Sequence, residues 1–309
     1  MTIKSLEGVS KERILKEFLG MLEAPFFVSK GLPLMFSTGV VSCIPGLKDI
    51  FEDMKSCFQN PAWHAEGATF LISNSDKTFE VSGSDFVEQK IPGTIERVIK
   101  CGTVFDHTML VMEEMSKQDH DAIDMLAALL HDIGKAPAAR KNGKKNPDDA
   151  WGKTIDHDLV GAPLAYDFCK NLGMTNKDCE TISWLVLNHM RAHQITKMKS
   201  KYKIWKFVSH PLFPRLVKLA RSDERGCRKT ALDEWEGIDG ALRLDRIKDL
   251  IGKPLPERIL TGTDLISKGF KPGPNFSKAL EKAHEFQVNL DISDKEELFK
   301  RVKGIVKGN

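Results

Sequence analysis

The sequence is poor in the features that mark specialised classes of protein. Its six cysteines, Cys43, Cys57, Cys101, Cys169, Cys179 and Cys227, form no C-x-x-C pair, and several sit in apolar periodic segments. They suggest reduced core thiols, neither a disulfide framework nor a thiolate metal site. The longest unbroken apolar run, Met125 to Leu130, has six residues, whereas ~20 are needed to cross a bilayer. With 14 prolines and 23 glycines in 309 residues, collagen-like and low-complexity classes are excluded. The net charge of +3, from 46 basic and 43 acidic residues, does not by itself demand a nucleic-acid partner. The opening residues show neither an apolar core with a cleavage site nor an acylation signal, so a cytoplasmic protein with no membrane partner is expected. What is present, 41% hydrophobic and 29% charged residues, belongs to a globular chain with one large domain or two to three small ones.

From Lys11 to about Phe58, Ile14, Leu15, Phe18, Leu19 and Leu22 recur at helical spacing, and shorter apolar segments follow between Gly and Pro breaks. This predicts a compact set of short helices. Between Ala68 and Lys100 the β-prone segments starting at Thr69 and Thr78 flank Asn74-Ser-Asp-Lys, which predicts an inserted β-hairpin. Helical periodicity returns at Thr103, with helices expected over 103–117, 121–133, 155–172, 176–190 and 212–225. The basic, Gly/Pro-bearing segment 140–149 is expected to be an exposed loop. Further on, 241–250 is helical, Thr263 or Asp264 can cap a short helix stopped by Gly269, and Ser293 with Glu296 has capping-box spacing for a last helix.

His107, His131, His157 and His189 fall at the inner edges of these helices, 24, 26 and 32 residues apart, with Asp132 beside His131 and Asp223 on the last helix of the set. Imidazole and carboxylate ligands suit divalent metals of intermediate softness, and a site built from several packed helices needs such wide spacing. His131-Asp132 ends an apolar run where unpaired polar groups are costly, and a metal is a fitting partner. Gly134 suits a helix C-terminal turn, which would leave Lys135 near enough to contact a phosphate held at the metal. His189 and His193, four apart, face the same way, so one can ligate while the other meets substrate. His64, His120, His210 and His284 carry no such signal.

The motifs Phe105-Asp-His-Thr, Leu130-His-Asp-Ile-Gly-Lys, Asp156-His-Asp-Leu-Val-Gly, Asn188-His-Met-Arg-Ala-His and Arg221-Ser-Asp-Glu-Arg-Gly resemble those of HD-superfamily phosphohydrolases. More narrowly, they resemble the C-terminal HD region of bacterial multifunctional CCA-adding tRNA nucleotidyltransferases. The stretch from Lys11 to Phe51 is similar to the helical neck of that family, Trp63-His-Ala-Glu-Gly to the segment before its first metal histidine, and Leu260-Thr-Gly-Thr to Pro274 to its tail. The resemblance implies a mainly α fold, an HD-domain helical bundle with helical neck and tail and the inserted hairpin. The expected division is a neck at 1–60, an HD domain at 61–235 with the insertion at 68–101, and a tail at 236–309. The family's nucleotidyltransferase head, with its Gly-Gly/Gly-Ser motif and paired aspartates, has no counterpart here, so CCA addition by this chain alone is not expected. Where the family has a few residues between Glu66-Gly67 and the first metal histidine, 40 positions separate Gly67 from His107 here.

The resemblance further implies hydrolysis of nucleotide or RNA-end phosphate esters, with 2′,3′-cyclic phosphodiesterase, 2′-nucleotidase and phosphatase activities favoured. His107, His131, Asp132 and Asp223 match the core HD ligands, and His157 and His189 match the added histidines of two-metal members. Two divalent ions are therefore expected (Mn, Fe, Co, Ni or Zn), with Asp132 bridging them. Asp132, Lys135 and His193 are the expected catalytic residues; Lys135, Arg191, His193 and Arg225 are expected to hold substrate. Basic residues Arg191, Lys197, Lys199, Lys201, Lys203 and Lys206, interleaved with Tyr202 and Trp205, follow the His189 helix. A second group, Arg215, Lys218, Arg221, Arg225, Arg228 and Lys229, surrounds Asp223. Both suggest contact with the backbone of a tRNA-like RNA. Rival readings are a dNTP triphosphohydrolase, a cyclic-nucleotide or cyclic-oligonucleotide phosphodiesterase, and a non-catalytic tRNA-binding accessory subunit; homo-oligomerisation is left open.

Overall fold

The computed structural model describes residues 8–59, 70–71, 78–79, 87–90, 98–144, 151–227 and 237–307. The chain is mainly α. Its helices are α1 (Lys11–Leu22), α2 (Leu32–Thr38), α3 (Leu47–Ser56), α4 (Val104–Ser116), α5 (Ala122–Leu130), α6 (Lys135–Asn142), α7 (His157–Asn171), α8 (Asn176–His193), α9 (Lys201–Val208), α10 (Phe213–Gly226), α11 (Gly237–Arg243), α12 (Asp245–Lys248), α13 (Gly262–Ser267), α14 (Pro274–Leu290) and α15 (Lys295–Lys307). None is long and apolar enough to cross a membrane.

Packing divides the chain into two units. One comprises Met1–His193 with Pro214–Ile238; the other comprises Gln194–Phe213 with Asp239–Asn309. The basic stretch after His193 thus belongs with the tail helices, whereas Arg191 stays on α8.

In the first unit, α5 is the central element. Every residue from Asp124 to Leu130 is buried, as its unbroken apolar run requires, and α4 and α8 pack against it. Its start is fixed by Asp121, whose side chain accepts from the Asp124 amide. Helix α4 starts from a capping box in which Thr103 and Asp106 satisfy each other's backbone N–H groups. The short helices α1 to α3 surround this core, with Phe51 stacked edge-on against Phe105 at 5.3 Å. Helices α5 and α10 are tied by charge. The Arg215 guanidinium bonds Asp121 and buried Asp124, and Lys218 Nζ bonds Asp124 at 2.6 Å.

The insertion leaves and rejoins this unit at one place. Phe58 bridges Thr103, the Gln59 amide donates to the Gly102 carbonyl, and the Val104 amide donates to that of Cys57. The expected single hairpin over 68–101 is not supported. Most of that segment lies outside the described residues. Its described backbone pieces, β1 (Phe70–Leu71), β2 (Thr78–Phe79), β3 (Val87–Lys90) and β4 (Val98–Cys101), pair antiparallel in the order β2-β1-β4-β3. Pairing of β1 with both β2 and β4 is what a lone hairpin lacks. The expected loop at 140–149 is also shorter: α6 runs to Asn142, Arg140 pairs with Asp53 on α3, and 145–149 lie outside the described residues.

The second unit has its own core of Leu260, Leu265, Phe276, Ala279, Ala283, Ile292, Leu298 and Val302. The short helix α13 is capped by Thr261, with Asp264 as its reciprocal partner, and not by Thr263 or Asp264. Gly269 ends it with φ +86°, a conformation that glycine adopts without penalty.

The Arg215 links define a first test. Replacing Arg215 with Met leaves Asp121 unpaired and Asp124 with Lys218 alone. We expect a loss of about 1–3 kcal/mol, measured as a lower thermal midpoint with helical content unchanged at 20 °C.

Candidate metal centre

All six side chains expected as ligands meet inside the first unit. His107 is one turn into α4, His131 and Asp132 follow directly on α5, His157 opens α7, His189 lies on the last turns of α8, and Asp223 lies near the end of α10. All six are buried, Asp132 with 2% of its surface exposed.

Asp132 is the centre of the arrangement. Its Oδ2 lies 3.2 Å from His131 Nε2 and 3.6 Å from His107 Nε2; its Oδ1 lies 3.2 Å from His157 Nε2 and 3.8 Å from His189 Nε2. Asp223 Oδ1 is 3.0 Å from His107 Nε2 and 3.9 Å from His131 Nε2. One carboxylate is therefore shared by two donor sets, His107/His131/Asp223 and His157/His189. Donors bound to one ion at about 2.0–2.2 Å stand roughly 3–3.5 Å apart, close to the spacings found.

The backbone fixes which ring nitrogens can ligate. Nδ1 of His131, His157 and His189 lies 2.8, 2.8 and 2.6 Å from the carbonyls of Ala128, Thr154 and Val186. A carbonyl only accepts, so each Nδ1 must donate, and each neutral ring turns an Nε2 lone pair inward. The Nε2 atoms of His157 and His189 are 3.1 Å apart, those of His107 and His131 3.3 Å. Burial, with the His157 imidazole beside it, pushes the His189 imidazole down to about 3, which keeps it in the ligating form. Converging lone pairs beside ionised carboxylates in a dry interior are complementary to a cation, so the donor chemistry fits one or two divalent ions.

The carboxylates are held ionised. Burial alone would raise Asp132, but His131, then Lys135, outweigh it and hold Asp132 well below the usual carboxylate range. Lys135 has only 5% of its surface exposed; its Nζ lies 2.6 Å from Asp132 Oδ2 and donates to Gln59 Oε1 at 2.5 Å. Burial of Lys135 is likewise outweighed by Asp132, and its ammonium is stabilised. His193 is half-buried, with Nε2 2.7 Å from Asp223 Oδ2 and Nδ1 3.1 Å from Glu224 Oε1. Although burial opposes its charge, bonds to those two carboxylates raise it to about 10.

Gly134 does not end α5. It precedes Lys135 at the start of α6 with φ −79°, so left-handed freedom is not the requirement. Space is. A Cβ there would lie 2.0 Å from the His157 carbonyl oxygen and 2.6 Å from the Gly161 amide. The missing side chain lets the start of α7 reach the His131–Gly134 turn and brings His157 to Asp132. Asp156, just before His157, sits at φ +62°, a conformation that Asp tolerates better than most residues.

Three residues at the centre are absent from the expected set. Gln59, from the stem of the insertion, orients Lys135. Glu224 holds His193 and also accepts from the Ile238 amide at 2.8 Å. Cys227 brings a thiol within 4.8 Å of ligand atoms of His107 and Asp223, although the cysteines carried no metal signal in the sequence.

The basic groups divide. Arg215 and Lys218 are engaged by the acids of α5 and are poorly placed to hold a nucleic-acid backbone. Arg191 and Arg225 are exposed, and Arg228 and Lys229 lie outside the described residues. Tyr202 is buried with its hydroxyl on Glu281, and Lys206 pairs with Glu281.

Residues 104–230 match the HD domain family, so the chain carries an HD domain, and this span includes all six clustered side chains. Similar proteins include a bifunctional uridylyltransferase/uridylyl-removing enzyme of Gluconobacter oxydans, 38% identical over 69 residues, which are 22% of this chain and 6% of the relative. Another protein of that description, from a Bradyrhizobium species, is 27% identical over 140 residues, 42% of this chain and 13% of the relative. A multifunctional CCA protein of Alkalilimnicola ehrlichii is 26% identical over 119 residues, 38% of this chain and 27% of the relative. The chain thus spans about a quarter or less of the length of these relatives. Within residues 104–230 it carries an HD domain, similar both to the multifunctional CCA protein and to the uridylyltransferase/uridylyl-removing enzymes.

The close approach at Gly134 gives a second test. Gly134→Ala should displace the start of α7, lower stability by about 2–3 kcal/mol, and weaken metal binding at the His157/His189 pair before that at His107/His131. Calorimetric titration with Mn²⁺ or Zn²⁺ on the folded variant checks the order.

Proposed function

We propose that this chain hydrolyses phosphate esters of nucleotides or RNA ends with two divalent ions, favouring 2′,3′-cyclic phosphodiesters. The observation that carries the reading is the single carboxylate of Asp132 shared between two histidine sets. His107, His131, Asp132 and Asp223 would hold one ion, and His157, His189 and the other oxygen of Asp132 the second. Such ions supply Lewis acidity, lowering the pKa of water and neutralising charge on phosphoryl oxygens.

The protein's own groups then have separable tasks. Lys135 keeps Asp132 ionised, and Gln59 keeps Lys135 in place. His193 is oriented by Asp223 and Glu224 and is the least buried histidine of the cluster, placed to meet the substrate; Arg191 and Arg225 are exposed nearby in sequence on the same two helices and would contact its phosphate. The relatives support the class of bond. One group is named for uridylyl removal, and water releases a uridylyl group by attack at phosphorus.

The experiment is a metal-reconstituted screen of 2′,3′-cyclic nucleotides, 2′- and 3′-nucleotides, dNTPs, cyclic dinucleotides and a uridylylated peptide. We expect the cyclic mononucleotides to turn over fastest and a chelator to remove the activity. A dNTP or cyclic dinucleotide preference would select the corresponding rival, and a metal-loaded protein inactive on all of them would leave a binding module. Asp132→Ala should reduce turnover by at least a thousandfold and lower metal content. His157→Ala and His189→Ala should take the protein from about two ions to about one. Undiminished activity of folded Asp132→Ala would refute the assignment.

A further inference from the structure

The second unit contains a cleft of about 510 Å³ lined by Lys199, Lys201, Ile204, Trp205, Asp245, Arg246, Asp249, Leu250 and Lys253. Its cations come from two separated stretches of chain, the start of α9 and the region from α12 to Lys253. The floor, Ile204 and Leu250, is buried and apolar. We propose that this cleft binds single-stranded RNA, with a base against Trp205 and the flanking phosphates on Lys199, Lys201 and Lys253.

Three observations carry this. The first is a local conflict. Helix α9 has Lys201 and Lys203 in its first turn, Lys199 just before it, and no acid in that turn, although the positive end of a helix disfavours cations. The α9 amides are already engaged: Ser200 Oγ accepts from Lys203 N, and Asn289 Oδ1 from Tyr202 N. An anion in the cleft would therefore be held by the side chains. Among the described residues, Lys199, Lys201 and Lys253 have no carboxylate within 4 Å, unlike Lys206, Lys218 and Arg215. Cations placed against their helix and left unpaired await a charge from outside the chain.

The second observation is that the aromatic surface is fixed. Trp205 Nε1 donates to the Lys253 carbonyl at 3.0 Å, which sets the ring plane, and Lys201 Nζ lies 5.8 Å from the ring centroid. An aromatic platform beside backbone-tracking cations is what base-nonspecific single-strand recognition uses. The third is that the wall is braced. The Arg246 guanidinium bonds the carbonyls of Met198 and Thr196, joining the two stretches that bear the lysines. Asp245 and Asp249 add acceptor groups, which match the amino edges and ribose hydroxyls of a nucleotide and are a poor match for bare phosphate.

This inference rests on the preceding reading only for the class of partner, and its readout is binding alone. The probe is a fluorescein-labelled twelve-residue single-stranded oligoadenylate, titrated with the full chain between 50 and 200 mM KCl. In the Lys199→Gln/Lys201→Gln/Lys253→Gln protein we expect Kd to rise at least tenfold and the log–log salt slope to fall by about 2. A control, Lys197→Gln/Lys203→Gln/Lys278→Gln, removes the same charge from the same unit outside the cleft and should stay within about twofold. Trp205→Leu should weaken binding about fivefold or more while Trp205→Phe, which keeps a platform, loses less; thermal unfolding establishes that each variant is folded.

Equal loss in both triple variants would overturn the cleft and leave general charge attraction. Unchanged affinity and slope in the cleft triple would overturn it outright, as would a wild-type protein that binds ATP or inorganic phosphate as tightly as the oligomer. Absence of cyclic-phosphate hydrolysis refutes the proposed activity and leaves the binding result to stand by itself.

Discussion

Everything in the first unit depends on one constraint: four buried imidazoles must gather around two buried carboxylates in an apolar core without an unopposed charge. Asp132 resolves the geometry because a carboxylate has two faces. One oxygen answers the histidines of α4 and α5, the other those of α7 and α8. The helices hold the rings by their Nδ1 atoms on backbone carbonyls, so the inward tautomer is decided by main-chain geometry before any ion arrives. Packing then follows from the same demand: α5 must be apolar from Met125 to Leu130 because its end delivers His131 and Asp132 to the middle of the bundle, and Gly134 must be small because α7 delivers His157 to the same point.

Around that constraint runs a chain of charge compensation. Lys135 offsets Asp132 and is itself held by Gln59; His193 offsets Asp223 and is held by Glu224. Each buried charge thus has a partner and each partner a support, the condition under which ionised groups can be retained away from water. The supports come from different places, Gln59 from the stem of the insertion, outside the HD motifs, and Glu224 from within the last of them, directly after Asp223.

How much of this was legible in the sequence varies with the physics behind each residue. His131-Asp132 stood out because polar groups at the end of an apolar run need a partner, and Asp132 does stand between the two histidine pairs. Gln59 and Glu224 carried no signal, since a lone amide or acid becomes informative only when the fold sets it against Lys135 or His193. Gly134 was noticed for the wrong reason: glycine at a helix end suggests left-handed backbone, whereas its role here is close approach. Helix α14 escaped the reading of the tail because its buried face relies on Ala279 and Ala283, which mark a helical stripe weakly. The hairpin reading found β-prone segments but not the larger pairing, in which β1 also joins a strand nearly thirty residues further along the chain.

The basic stretch shows why adjacency in sequence is a poor guide to a surface. Lys199, Lys201 and Lys203 read as one run, but Lys201 and Lys203, two apart on α9, face different ways, and the cleft takes Lys201 together with Lys199, which precedes the helix, while Lys203 is not among its lining residues. Lys206 is neutralised by Glu281, and Arg215 and Lys218 of the second basic run are spent on Asp121 and Asp124. Cations with internal partners stabilise helix contacts and are little available to a ligand; those without carboxylates nearby, set beside a fixed indole, remain for one. In the first unit the described buried cation Lys135 serves an acid of the protein, whereas the cleft gathers four cations against two acids, Asp245 and Asp249. The chain's near-neutral net charge conceals this separation.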